Sequence, residues 1–251
     1  VEGGNDWEEI VALAQAVHDD PLIKRVDEVS LVGQQVFAVY RPHGQQPPLH
    51  QVHIPLEQAL AQPPGEPIVV DGWLSDPGIV RQLIAGLGRG RLDQVNALVM
   101  HRTDSATADS ALRSFSSGRD GVQYGTHFLI DKDGTVYQTA SLQQRTAHVG
   151  RIKARCVEED NCAADDRALT LAQRWNPGGN HNHEKTKPYP QRYPLNEDSV
   201  GIEVVGRHVD GKWEAPTAAQ QASINRLVNT LQQHYQIGDR DVHAHDVISY
   251  K

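Results

Sequence analysis

The sequence predicts an α/β fold: a mixed central β-sheet flanked by helices, preceded by an N-terminal α+β region. Three observations carry this. Short apolar runs at Val95–His101 and Ser199–Val205 have the length and composition of buried strands. Between and after them, Ala106–Ser116 and Thr217–Tyr235 repeat apolar residues at helical spacing, the second through Ile224, Leu227, Val228 and Leu231. Two further strands, His127–Ile130 and Thr135–Tyr137, are joined by Asp131-Lys132-Asp133-Gly134, where the glycine supplies the positive φ of a tight hairpin. At 251 residues and 38% hydrophobic, the chain is long enough to bury a sizeable core.

Taken in order, Asp6–His18 reads as an amphipathic helix with Ile10, Leu13 and Val17 on one stripe. Val29–Arg41 reads as a hairpin, two β-rich runs around Gly33-Gln34-Gln35. The Pro- and Gln-rich stretch from Pro42 to Pro67 is expected to be a surface loop or linker with a short helix near Leu56–Ala61, and Ser75–Leu87 to be another helix. Nothing in residues 1–90 assembles a chemical motif; His43, His50 and His53 sit in loop-like settings. Residues 1–90 are therefore taken as an N-terminal region of unassigned role, and 91–251 as the domain that carries chemistry.

Within that domain, Val95–His101 ends on a histidine and is followed by the turn-and-cap residues Thr103-Asp104-Ser105. Leu142–Gly150 leads to a His148-Val149-Gly150 corner. From Lys153 to Leu195 the chain is long and polar, with one expected helix at Asp166–Trp175; a stretch of this length in a compact domain reads as a functional rim or lid. Asp239–His245 is expected to be the last strand. No internal repeat is visible.

The formal net charge of −8 argues against a nucleic-acid partner, which calls for a basic face. No apolar run is long enough for a membrane span. No signal peptide is visible, but the first residue is Val, which fits a processed product and leaves export open. Cys156 and Cys162 are close enough to close a small disulfide loop in an oxidising compartment, or to be two free thiols.

The chemistry concentrates on three strands. In Ser199–Val205, Val200, Ile202 and Val204 face one way and Gly201, Glu203 and Val205 the other. Glu203 thus sits inside an apolar strand, where a carboxylate is costly unless something pairs with it. His101 and His245 each close an apolar run. Imidazoles fixed at the ends of adjacent strands, with one position open to water, are what a catalytic zinc site requires. His181 and His183 (HNHE) form a second candidate metal pair or plain rim histidines, and Trp175, Tyr189 and Tyr193 are candidates for stacking on sugar or peptide.

Five pieces in order, VNALVMHRT, YGTHFLIDKDGTVYQ, RTAHVG, NEDSVGIEVVG and VHAHDVISYK, resemble the zinc-dependent N-acetylmuramoyl-L-alanine amidase family. The resemblance covers residues 95 to 251. It implies zinc as cofactor, His101 as first ligand, Glu203 as the group assisting the attacking water, and His148 as a pocket residue beside the metal. It also implies that Lys251 stabilises negative charge on the carbonyl oxygen. The second ligand is His245 or His243: the small residue before it selects His245, spacing to the lysine in some members selects His243. The family's third ligand, an Asp or Cys, falls just after Lys251. Thr126 precedes His127 where T7-type members carry a tyrosine, and Tyr124 lies two residues earlier. The implied substrate is peptidoglycan or its muropeptides, met in the periplasm or outside the cell. Two alternatives are an inactive peptidoglycan-binding module and a secreted antibacterial effector whose residues 1–90 serve delivery or dock an immunity or inhibitor protein.

Overall fold

The computed structural model describes the backbone of residues 23–32, 35–42 and 50–55, and residues 69–76, 78–119, 121–173 and 175–250. The chain divides into two compact units, Val1–Glu66 and Pro67–Lys251.

The described part of the first unit is an antiparallel sheet of β1 (Ile23–Val32), β2 (Gln35–Pro42) and β3 (His50–Pro55), in that order. The expected hairpin is present and longer than its β-rich runs, with Val29 opposite Ala38 and Val32 opposite Gln35. The Pro/Gln-rich stretch expected to be a loop contains β3, which pairs Val52 with Ala38. The helices expected at Asp6–His18 and Leu56–Ala61 lie outside the described residues.

The second unit is built on β4 (Ile79–Arg81), β5 (Ala97–Arg102), β6 (Phe128–Ile130), β7 (Val136–Gln138), β8 (Ser199–Val204) and β9 (Val242–Ala244). They form one mixed sheet in the order β9-β5-β8-β6-β7-β4. β9, β5, β8 and β6 run parallel; β7 is antiparallel to β6, and β4 parallel to β7. The turn between β6 and β7 is the expected hairpin, with Gly134 at φ 89.

The helix expected at Ser75–Leu87 is absent. Asp76 instead starts a turn, accepting from the Gly78 amide at 2.7 Å, and the β-branched Ile79 and Val80 extend along the open edge of β7. The ladder continues as Gln82 and Ile84 amides donate to the Gln138 and Thr139 carbonyls. Strand pairing overrides the helical spacing here.

α1 (Ala108–Ser117) starts where Thr107 accepts from the Ser110 amide and stops at Gly118, φ 64. The polar 153–195 stretch is not one loop. It holds a single helical turn at Arg155–Glu158, then α2 (Ala164–Ala172) and α3 (Pro177–Glu184). α4 (Ala218–Tyr235) begins in a capping box, Thr217 with Gln220. The last strand is shorter than expected: His245 is the first residue of a short helix, α5 (His245–Ile248).

The sheet is covered on both faces. Leu98, Phe128, Ile130, Val200, Ile202 and Val204 pack with Leu227 and Leu231 of α4. On the other face Val99 packs with Val149, Ile152, Tyr193 and Ile248, and Leu129 with Ala108 and Ala111 of α1. Because strand side chains alternate, His101 follows Val99 onto this second face, and Glu203 joins Gly201 and Val205 there. No described helix is long and apolar enough to cross a membrane.

Candidate active site

Three chemistry-bearing residues stand in a row across the carboxyl ends of the parallel strands β9, β5 and β8. Glu203 is the register partner of His101, and Ala244, just before His245, pairs with Met100, just before His101. The His101 and His245 rings stack with centroids 4.4 Å apart. In open α/β sheets the carboxyl edge of the strands is where ligands bind, since loops leave it open and the sheet below is rigid. A cleft of ≈ 380 Å³ opens on the row, lined among others by Tyr124, Thr126, His148 and Asn196.

The two histidines expected to compete for one role are separated by depth. His243 lies opposite Val99 and packs edge-on against Tyr193, ring centroids 5.5 Å apart. Two residues on, His245 reaches the cleft wall. Sequence spacing could not choose because both point to the same face; the turn into α5 moves His245 beside His101.

Hydrogen bonds select the imidazole tautomers. The Leu195 carbonyl can only accept, so the Ser199 hydroxyl donates to it at 2.6 Å. That hydroxyl accepts from Nε2–H of His148 at 3.3 Å, leaving His148 Nδ1 as acceptor. His101 Nε2–H donates to this Nδ1 at 3.2 Å, so the lone pair of His101 is on Nδ1. His245 Nε2–H donates to the Val149 carbonyl at 2.9 Å, which puts its lone pair on Nδ1 as well. Burial holds His101 well below the usual histidine range, reinforced by His148 and His245. His148 is likewise held low, by burial and then by His127. Both rings are therefore neutral at physiological pH, the form that binds metals.

Glu203 sits in the same cleft wall, and burial pushes its carboxyl up to about 7. Among the described residues no hydrogen bond ties the carboxylate down. A carboxyl poised near neutrality is suited to taking and returning a proton.

The supporting residues escaped the sequence reading, although several lie within NEDSVGIEVVG. Asn196 Oδ1 accepts from the amides of His148 (2.9 Å) and Val149 (2.8 Å), and so shapes the corner that holds both histidines. Ser199 orients His148. Gly201 leaves space for it, since a Cβ there would lie 2.8 Å from His148 Nδ1. His127 is fully buried: its Nε2–H donates to the Gln144 carbonyl and its Nδ1 accepts from the Gly201 amide. Burial lowers it to about 4, so it is a neutral strut. Tyr124, 52% exposed, lines the cleft although its position in sequence differs from the family pattern. Lys251 lies outside the described residues.

The 153–195 residues do not join this site. His183 contacts Asp166 at 2.7 Å, and Lys187 Nζ lies 2.6 Å from both Asp166 and Glu184. Asp166, His183 and Glu184 are close enough to share a cation, but the Lys187 ammonium already takes that place. His181 points away and accepts from the Ile152 amide at 3.2 Å. Tyr193 is buried and Tyr189 bonds Asp241, so of the candidate stacking residues Trp175 alone stands exposed. Cys156 and Cys162 form a disulfide.

A carboxyl raised by burial, beside two stacked imidazoles at the open edge of a parallel sheet, is an arrangement suited to a hydrolase. The chain belongs to the N-acetylmuramoyl-L-alanine amidase family, whose model matches residues 91–251. Family membership makes it an amidase of peptidoglycan. The crystal structure of selenomethionyl AmpD shares the fold: 18% identity over 73% of this chain and 89% of that chain, TM-score 0.50. An endolysin N-acetylmuramoyl-L-alanine amidase, LysCS from Clostridium intestinale URNW, is 20% identical over 70% of this chain and 85% of that one, TM-score 0.45. No curated protein sequence matches the chain.

Proposed function

We propose that this chain is a zinc-dependent amidase, cutting the bond between the lactyl group of N-acetylmuramic acid and the L-alanine of the stem peptide, outside the reducing cytosol. The observation that carries the reading is the row His245–His101–Glu203, two imidazoles stacked at 4.4 Å with a carboxyl in register beside them.

The donor set fits zinc. Each imidazole has its Nε2–H committed, to a carbonyl or to His148, which fixes Nδ1 as the donor atom; such outer hydrogen bonds accompany nearly every ligating histidine. When bound, zinc would act as a Lewis acid and make water a competent nucleophile near neutral pH. The family's third ligand position follows Lys251. Glu203 would take the proton of the attacking water and return it to the leaving amine. His148 walls the cleft and holds the His101 tautomer. Lys251, by resemblance, would balance charge developing on the carbonyl oxygen, a contribution of about 3 kcal/mol for such a donor.

The Cys156–Cys162 disulfide supports a periplasmic or secreted location, since such bonds persist in oxidising compartments. Residues 91–251, together with β4 of the same sheet, are taken as the amidase domain, with Val1–Glu66 serving a separate role. The test is Glu203→Ala assayed on purified sacculi. Release of stem peptides should be lost while the protein still binds about one zinc per chain; cleavage at the normal rate would remove Glu203 from the role of base.

A further inference from the structure

The segment from Lys153 to Leu195 is longer than its connection needs, and it is pinned from behind. The Cys156–Cys162 disulfide closes its first turn. Asp166 ties α2 to His183 of α3 and to Lys187, and the fully buried Glu184 also accepts from Lys187. Asn180 Nδ2 donates to the Tyr250 hydroxyl at 2.9 Å. Other polar side chains of the segment, Asp160 and Arg167 among them, face water, and beside them stand exposed apolar ones. Leu171 is 62% exposed, and four residues on Trp175 is 82% exposed. Tryptophan is among the side chains most covered on average, so an indole held this far into water on a pinned support points to a ligand.

The place of Trp175 says which ligand. Its ring stands at 90° to Tyr250, centroids 5.7 Å apart. Tyr250 belongs to a two-stranded ribbon, Ser249–Tyr250 against Arg151–Ile152, that starts one residue past Gly150 in the cleft wall. Ser249 Oγ donates to the Val149 carbonyl, the same atom that holds His245. The indole is therefore linked to the candidate row through its ring contact with Tyr250 and the hydrogen bonds that Ser249 and His245 make to the Val149 carbonyl.

We propose that Trp175 is a wall-binding platform outside the cleft, its face stacking on a sugar ring of the peptidoglycan strand whose stem is being cut. This rests on the amidase reading. A cleft of ≈ 380 Å³ holds the reacting part of a muropeptide, and the remainder of an intact glycan strand must run over the rim. A pyranose ring offers an apolar C–H face of indole size with hydroxyls at its edge for water. A protein partner needs a far larger apolar surface than one indole and two leucines, Leu169 and Leu171.

The test compares intact sacculi with a soluble monomeric muropeptide as substrates for wild type, Trp175→Ala and Trp175→Phe. The ratio of kcat/KM on sacculi to kcat/KM on muropeptide should fall about tenfold in Trp175→Ala and recover in Trp175→Phe. An unchanged ratio overturns the proposal. So does a Trp175→Ala protein that melts lower and loses both activities together, which would mark the indole as structural. Sedimentation with sacculi in the Glu203→Gln background separates this proposal from the amidase reading, because binding is scored without turnover. Weaker sedimentation of the Trp175→Ala, Glu203→Gln protein than of Glu203→Gln alone supports the platform even if no amide is cut. Equal sedimentation, or Trp175-dependent binding to phosphatidylglycerol vesicles instead of sacculi, refutes it.

Discussion

Replacing Gly201 by alanine should displace His148 and, through it, His101 of the candidate site, without removing any group proposed to do chemistry. The added Cβ would lie 2.8 Å from Nδ1 and 2.9 Å from Cγ of His148, and 2.9 Å from Cγ2 of Thr126. Ordinary van der Waals contact starts near 3.4 Å, so the imidazole or the strand must move by about 0.6 Å in a close-packed interior. The contact at stake is short of slack. His101 Nε2 and His148 Nδ1 are 3.2 Å apart, and a shift of about 0.6 Å along that line exceeds hydrogen-bonding distance. Overpacking of this kind costs about 1–3 kcal/mol, and the lost hydrogen bond about 1 more. With about 2–4 °C per kcal/mol for a domain of this size, Tm should fall by roughly 4–16 °C. The misplaced His101 should lower kcat/KM by about 100-fold. Melting curves and hydrolysis of a soluble muropeptide read the two effects. A double-mutant cycle with His148→Ala isolates the cause: with the ring gone, Gly201→Ala should cost at least about 0.5 kcal/mol less in stability. An alanine variant with wild-type Tm and activity, or a cycle with no coupling, would falsify the packing argument.

Three other outcomes are expected. In metal-free protein burial pushes the folded Glu203 carboxyl up to about 7, above the 4.5 of a free glutamate. The folded state then holds the proton more tightly, so the stability Glu203 contributes is present below 4.5 and lost as pH rises towards 7, by up to roughly 3 kcal/mol. Subtracting the Glu203→Gln stability curve should expose that fall, and a difference that stays flat from pH 4 to 8 (about that window) would contradict it. His245→Ala should lose zinc in equilibrium dialysis while His243→Ala keeps about one per chain; the reverse pattern would exchange their roles. Asn196→Ala strips the acceptor from two amides, those of His148 and Val149, and should cost about 2 kcal/mol in chemical denaturation. Its kcat/KM should drop with stability, because the corner holds His148 directly and His245 through the Val149 carbonyl. A stable Asn196→Ala protein would show that water replaces the amide oxygen.

The chain by itself determined which segments become the strands β5, β6 and β8 and the helices α1 and α4, because each has a strong period, cap or turn of its own. It also placed Glu203 and His101 on strands, since one carboxylate in an apolar run and one histidine at the end of another are local signals. It misjudged Ser75–Leu87, where the open edge of β7 outweighs local spacing; in the 153–195 stretch it found α2 but missed α3, which is held by ion pairs rather than an apolar stripe. Tertiary structure alone decided that His245 stands beside His101, that Asn196 and Ser199 set the histidines, and that Gly201 makes room for His148. The physical reason is common to all of these. Parallel strands have no local contact with one another, so register across β9, β5 and β8 depends on packing of the whole sheet. Burial then turns a carboxylate legible only as an oddity into a group that titrates near 7.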